Sequence, residues 1–171
     1  MKVSNLSLTC RALALVIVAG FAGPALAGEA VPFKGDLEGV HVSRTPLGGP
    51  VFFDVFETAG QATHLGRFEL VIEAVVNFGT RPPTAEGTVT FTAANGDTLV
   101  ADITGSSALV EPGLVLITEH AVIDPDRSTG RFAGATGTFT IERLADAATG
   151  VTGVTEGSFE GTISLATPAK R

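Results

Sequence analysis

The stretch Ala85-Glu-Gly-Thr-Val-Thr-Phe-Thr-Ala-Ala-Asn-Gly-Asp-Thr-Leu-Val-Ala-Asp-Ile103 decides the fold class. Val89, Phe91 and Ala93 alternate with Thr88, Thr90 and Thr92. A period of two puts the apolar set on one face and the threonines on the other, as in a half-buried strand. Asn95-Gly96 then supplies the dipeptide that suits a type I′ hairpin turn. Leu99, Ala101 and Ile103 resume the alternation against Asp102 and Thr104. The stretch reads as two antiparallel strands joined by a tight turn.

The same pattern extends in both directions. In residues 63–78, Phe68, Leu70, Ile72, Ala74, Val76 and Phe78 share a dry face, opposite Arg67, Glu69, Glu73 and Asn77. Further strands are expected at 33–44 (interrupted by Gly35 and Gly39), 51–57, 114–123, 136–144 and 152–165. Turns are expected at 45–50, at Ala59-Gly60, at 79–84 around Pro82-Pro83, at 124–126 and at 145–150, with every mature-chain proline at a strand boundary. Eight sequential strands with short connections predict an all-β, eight-stranded antiparallel β-barrel, which leaves no edge exposed. The alternative is a two-sheet β-sandwich.

The first residues read as a signal peptide. Lys2 and Arg11 precede an apolar run over 12–23, and Pro24 and Ala25-Leu-Ala27 follow. Cleavage is expected after Ala27, leaving residues 28–171 as one domain in the periplasm or the medium. The run is shorter than the ~20 residues of a spanning helix, so no membrane association is expected after cleavage. An outer-membrane barrel would carry aromatic girdles, and this chain has no Trp and no Tyr. The missing Trp also excludes the Gly-x-Trp start of a lipocalin. Cys10 is the one cysteine and leaves with the signal, so the fold rests on its core without disulfides. Loss of Lys2 and Arg11 takes the 11 basic residues to nine, against 18 acidic ones, a net charge of −9. That balance makes no basic stripe and disfavours nucleic-acid partners.

A second stretch, Ser128-Thr-Gly-Arg-Phe-Ala-Gly-Ala-Thr-Gly-Thr-Phe139, reads as a barrel corner. Gly130 and Gly137 suit backbone angles closed to other residues, Gly134 suits close approach, and Phe132 and Phe139 suit plugging a barrel end. The glycines are not a phosphate loop, because no Lys-Ser/Thr follows and a strand rather than a helix comes next. Thr129, Gly130, Phe132, Ala135 and Gly137 fit the pattern Gly-Thr-Gly-x-Phe-x-x-Ala-x-Gly, with Ser128 in place of the first glycine. In this the chain resembles the allene oxide cyclase-like and dirigent-like barrels, although Thr136 stands where dirigent proteins usually carry Arg. Thr63-His-Leu-Gly66 and Gly157-Ser-Phe-Glu-Gly-Thr-Ile163 resemble exported bacterial proteins with this barrel. The resemblance implies an eight-stranded barrel, often a homotrimer in the plant members, and transfers no catalytic residue.

No nucleophile elbow, zinc-protease motif or phosphate-binding loop is present. His41, His64 and His120 lack ligand spacing, so no metal and no cofactor is expected. Glu119 lies on the face of Val115, Ile117, Ala121 and Ile123, and an inward face would make it an acid in an apolar lumen, suited to acid–base work. The opposite register would turn His120 inward instead. Arg143, on the face of Phe139 and Ile141, is placed to pair with Glu119 across strands, and that structural pairing is the preferred reading. Glu119, His120, Arg143 and His64 are the ligand-lining candidates. The favoured function is a non-enzymatic barrel that binds a small apolar ligand or serves a structural or interaction role; the alternative is a cyclase or isomerase using Glu119.

The exported protein is expected to begin at Gly28. Intact-mass measurement of secreted material checks this, and a product that retains residues 1–27 would overturn it.

Overall fold

The computed structural model describes residues 28–147, 151 and 153–166, so the expected signal segment and parts of the last turn and tail lie outside it. Eight strands follow in order: β1 (Val31–Gly48), β2 (Val51–Ala62), β3 (Gly66–Asn77), β4 (Thr84–Ala93), β5 (Thr98–Glu111), β6 (Leu114–Ile123), β7 (Thr136–Asp146) and β8 (Val154–Ser164). Each pairs antiparallel with the next, and β1 pairs with β8 from Val31↔Ile163 to Val40↔Val154. The sheet is therefore a closed barrel, and the sandwich alternative is set aside. Outside, the strands carry the exposed charges Lys34, Asp36, Glu38, Glu57, Arg67 and Glu69 together with exposed valines such as Val40, Val122 and Val154.

The dry faces read from the sequence point inward. Phe68, Leu70, Ile72 and Ala74 of β3 are buried, as are Val89, Phe91 and Ala93 of β4 and Leu99, Ala101 and Ile103 of β5. One half of the interior is filled by phenylalanines. Phe33, Phe68, Phe91, Phe139 and Phe159 form a cluster with ring centroids 4.9–6.0 Å apart, mostly edge-to-face.

Three local expectations are corrected. Gly60 lies within β2, not in a turn; a Cβ there would stand 1.9 Å from the Asp36 carbonyl oxygen, so the glycine lets β1 and β2 approach. The chain turns later, where His64 and Gly66 take positive φ of 64° and 69°. Pro46 sits inside β1, paired with Phe52. β8 pairs with β1 only as far as Val40, so no described strand needs a donor from Pro46 on that side. At Asn95-Gly96, Gly96 alone takes positive φ, and Ala93 N–H donates to Asp97 O across a three-residue loop. Asn95 spends its side chain on Asp97 instead, accepting from the Asp97 N–H at 3.3 Å.

The glycine-rich corner closes the phenylalanine end. A single 3₁₀ turn, Gly130–Phe132, sets Phe132 fully buried beneath it. Gly130 has φ of 59°, and a Cβ there would collide with the Asp97 carboxylate. That carboxylate instead accepts from the Arg131 N–H, while Arg131 Nη2 donates to Leu65 O at 3.0 Å. Hydrogen bonds from Asn95 and from the Arg131 N–H hold the Asp97 carboxyl below its ordinary range. This tether is complete above the ordinary carboxylate pKa and is lost as pH falls through the lowered one. Gly134, with φ of 74°, and Gly137, at the start of β7, complete the bend.

Phe91→Ala is expected to cost about 3–5 kcal/mol, the range for removing a buried aromatic. Urea denaturation reads this out, and a loss under about 1 kcal/mol would mean that the cluster is not a packed core.

Candidate functional site

The other half of the interior is polar, and its composition follows from the strand register. On β2, Asp54 and Phe56 point inward two residues apart, and both are buried. On β1 a bulge between His41 and Ser43 shifts the pairing, so that His41 lies opposite Phe56 and Arg44 opposite Asp54. A regular strand would present residues 41 and 43 on one face; the extra residue presents His41 and Arg44. Arg44 donates to Asp54 twice, Nε to Oδ1 at 2.8 Å and Nη2 to Oδ2 at 2.6 Å. Its guanidinium lies 4.9 Å from the Phe78 ring centroid and 5.7 Å from that of Phe52, at the barrel rim. The Asp54 hydrogen bonds raise the Arg44 pKa above its ordinary value, against a smaller lowering from burial.

Deeper, β6 and β7 supply the second pair. Glu119 and Arg143 are 1% and 2% exposed. Arg143 donates from Nε to Glu119 Oε2 at 3.1 Å and from Nη2 to Oε1 at 3.0 Å, a two-pronged contact. Its Nη1 reaches Thr155 Oγ1 at 3.3 Å, and Thr155 donates on to Leu144 O at 2.8 Å. Glycines make the room. Glu119 faces Gly105 across β5, where a Cβ would stand 2.9 Å from Glu119 Cγ; Arg143 faces Gly157 across β8, where one would stand 2.6 Å from Arg143 Cβ.

Phe56 joins the two pairs. The His41 ring stacks on it at 4.4 Å and 19°, and Arg143 Cζ lies 4.1 Å from its centroid. His41 is 5% exposed, and its Nε2 has no hydrogen-bond partner among the described residues. The nearest carboxylate oxygen, Asp54 Oδ1, is 3.7 Å away, beyond hydrogen-bonding distance.

These groups border a cavity of about 120 Å³. Its apolar wall includes Ala74, Val76, Ala85, Val115 and Ile117, with Ser107 on the β5 side, and Phe78, Pro83 and Ala147 at the rim. Phe78 is 41% exposed, so the rim meets solvent. A broader concavity on the outer wall is lined by solvent-facing Glu38, Arg67, Glu69 and Glu156; the inner cavity is the one that gathers buried polar groups.

Of the sequence candidates, the structure brings together Glu119 and Arg143. Glu119 faces inward, but its carboxylate oxygens are taken by Arg143, so it is not a lone acid in an apolar lumen. His120 faces outward, with Nδ1 3.1 Å from Thr140 Oγ1, and the register that would turn it inward does not occur. His64 lies in the β2–β3 turn at the opposite end, and neither histidine lines the cavity. Among the described residues, no group of three His, Cys, Asp or Glu is placed to hold a metal ion. His41, Asp54, Arg44 and Phe56 were not selected from the sequence as ligand-lining residues. The available signal was Asp54 itself, an acid between Phe52 and Phe56 on the dry face of its strand.

Glu119→Gln is expected to cost about 3–5 kcal/mol, because it leaves Arg143 buried without its counter-charge. The double replacement Glu119→Leu with Arg143→Met should recover most of that loss, since apolar groups of similar size fill the same space. Denaturant midpoints of the three proteins test this; a Glu119→Gln protein within about 1 kcal/mol of wild type would show that the pair does not hold the barrel.

No family model matches the chain, and no curated protein and no solved structure matches it either.

Proposed function

We propose that this chain is an exported binding barrel that takes a small, largely apolar molecule, or the end of a longer one, into the cavity at its polar end. The observation that carries the reading is the cavity itself: about 120 Å³, walled by Val76, Ala85, Val115 and Ile117, and open to solvent past Phe78. Ligand sites are typically apolar concavities with a few convergent polar groups, and barrel mouths are among their usual places. The volume is below that of drug-sized sites and close to that of cavities which accept one benzene-sized molecule. Export is supported by the leader-like residues 1–27, and kinship with allene oxide cyclase-like and dirigent-like barrels by the corner motif. A cyclase or isomerase reading loses its main support once both Glu119 oxygens are engaged by Arg143.

Native mass spectrometry of protein purified from its own periplasm or medium should reveal a retained small molecule. Added back at one hundred times its Kd, that molecule should stabilise the fold by about 2.7 kcal/mol, a rise in Tm of roughly 8 °C for a domain of this size. The cavity-filling variant Ala85→Phe should abolish the rise. Apo protein that no small apolar compound stabilises would overturn the reading.

A further inference from the structure

We infer that the cavity selects ligands carrying a neutral hydroxyl group, received by His41 Nε2, over carboxylates, phosphates and amines. The inference rests on the binding-barrel reading and deepens it.

Charge is the first argument. The two cations at the cavity, Arg44 at the rim and buried Arg143, are each engaged by a carboxylate, and the two buried carboxylates, Asp54 and Glu119, are each engaged by a guanidinium, while Asp146 adds a third negative group at the border. An entering anion would find no unpaired cation and would have to leave water beside two carboxylates. An entering ammonium would find the buried carboxylates, Asp54 and Glu119, already bound by guanidinium groups. Either charge loses its hydration without a new partner, which is costly in a site of low polarity. A neutral ligand avoids that cost.

The second argument is the single unsatisfied group. Buried polar atoms are nearly always hydrogen-bonded, so the unpartnered Nε2 of a 95%-buried histidine marks where an incoming polar atom belongs. No described residue supplies that partner in this arrangement, since Asp54 Oδ1 stays at 3.7 Å and the ring is stacked on Phe56.

The third argument separates hydroxyl from carbonyl. A carbonyl oxygen only accepts, so it suits the imidazole in one tautomer alone. A hydroxyl both donates and accepts. It can donate to a bare Nε2, or accept from Nε2–H. It therefore satisfies His41 in either tautomer. The rest of such a ligand would lie along Ala74, Val76 and Ala85 toward the rim at Phe78.

The test titrates the full exported chain with three probes: 1-butanol, butanoate and benzene. The readouts are the His41 side-chain nitrogen resonances and the dissociation constants. Butanol is expected to move the His41 signals and to bind at least tenfold more tightly than butanoate, the ratio expected when one probe retains a desolvated charge. His41→Phe keeps the stack on Phe56 but removes the nitrogen; it should weaken butanol roughly fivefold, the size of one net hydrogen bond, and leave benzene unchanged. If that variant does not fold, the butanol-to-butanoate ratio in the wild-type protein decides. Butanoate binding as tightly as butanol overturns the inference. So does benzene binding without any His41 response to butanol, although the binding-barrel reading then survives. If none of the three binds and the cavity holds water only, both fail.

Discussion

An eight-stranded barrel has an interior only just wide enough for side chains, and that volume limit governs the rest of this structure. The register shows how it is met. Around β8, Phe33 lies opposite Gly161, Phe159 opposite Gly35, and Leu37 opposite Gly157. On the other side of the same strand, Phe139 meets Gly161 and Arg143 meets Gly157. Each of these residues has a glycine beside it, and a Cβ at Gly35, Gly157 or Gly161 would stand under 3.0 Å from the neighbouring strand. These glycines weaken individual strands, yet they let the sheet close, and closure removes the unpaired edges that an open sheet would expose.

The same limit makes the two ends of the barrel different. Where the spaces beside glycine receive phenylalanine rings, the interior is dry and filled, and Phe132 with the corner seals it. Where they receive Glu119 and Arg143, the interior holds charge. A buried ion pair is weak evidence for stability, since apolar groups of the same shape do as well or better. What the pair adds is fixed geometry. Arg143 is held by Glu119 and Thr155 and lies over Phe56, and Phe56 in turn aligns His41. The phenylalanine end supplies most of the cohesion, and the polar end spends some of it on an ordered constellation. That division agrees with the general tendency for sites to break the local rules that cores obey.

Much of this was legible in the sequence because alternation survives wherever a strand has one wet face. Strand β6 matched its expected bounds, and the inward faces of β3, β4 and β5 were readable residue by residue. The pairing of Glu119 with Arg143 was readable as a candidate, but whether Glu119 or His120 faced inward was left open until the register decided it. Glycine was the ambiguous letter. At Gly60 it spaces two strands, whereas at Gly66 it turns the chain, and one sequence does not distinguish a missing side chain needed for space from one needed for backbone angle. The bulge in β1 was hidden more deeply. Its effect is to put His41 and Arg44 on one face, and a strict period of two assigns them to opposite faces. Half of the polar constellation was therefore out of reach until the register was known.

That bulge also lies at the open, polar end. Past His41, whose N–H still donates to Gly153 O, β1 pairs among the described strands with β2 to Gly48. β5 runs past β4 in the same direction, from Ser107 to Glu111, paired with β6. Strands that outrun their neighbours cannot be capped by one short corner, as the phenylalanine end is by Gly130–Phe132. The bulge turns Arg44 inward onto Asp54, and it lies where the pairing of β1 with β8 ends. Were β1 regular through Val42, Ser43 rather than Arg44 would stand opposite Asp54, and that carboxylate would be buried without its cation. The irregularity in β1 is therefore better understood as the feature that sets the chemistry of the mouth than as a defect in the barrel.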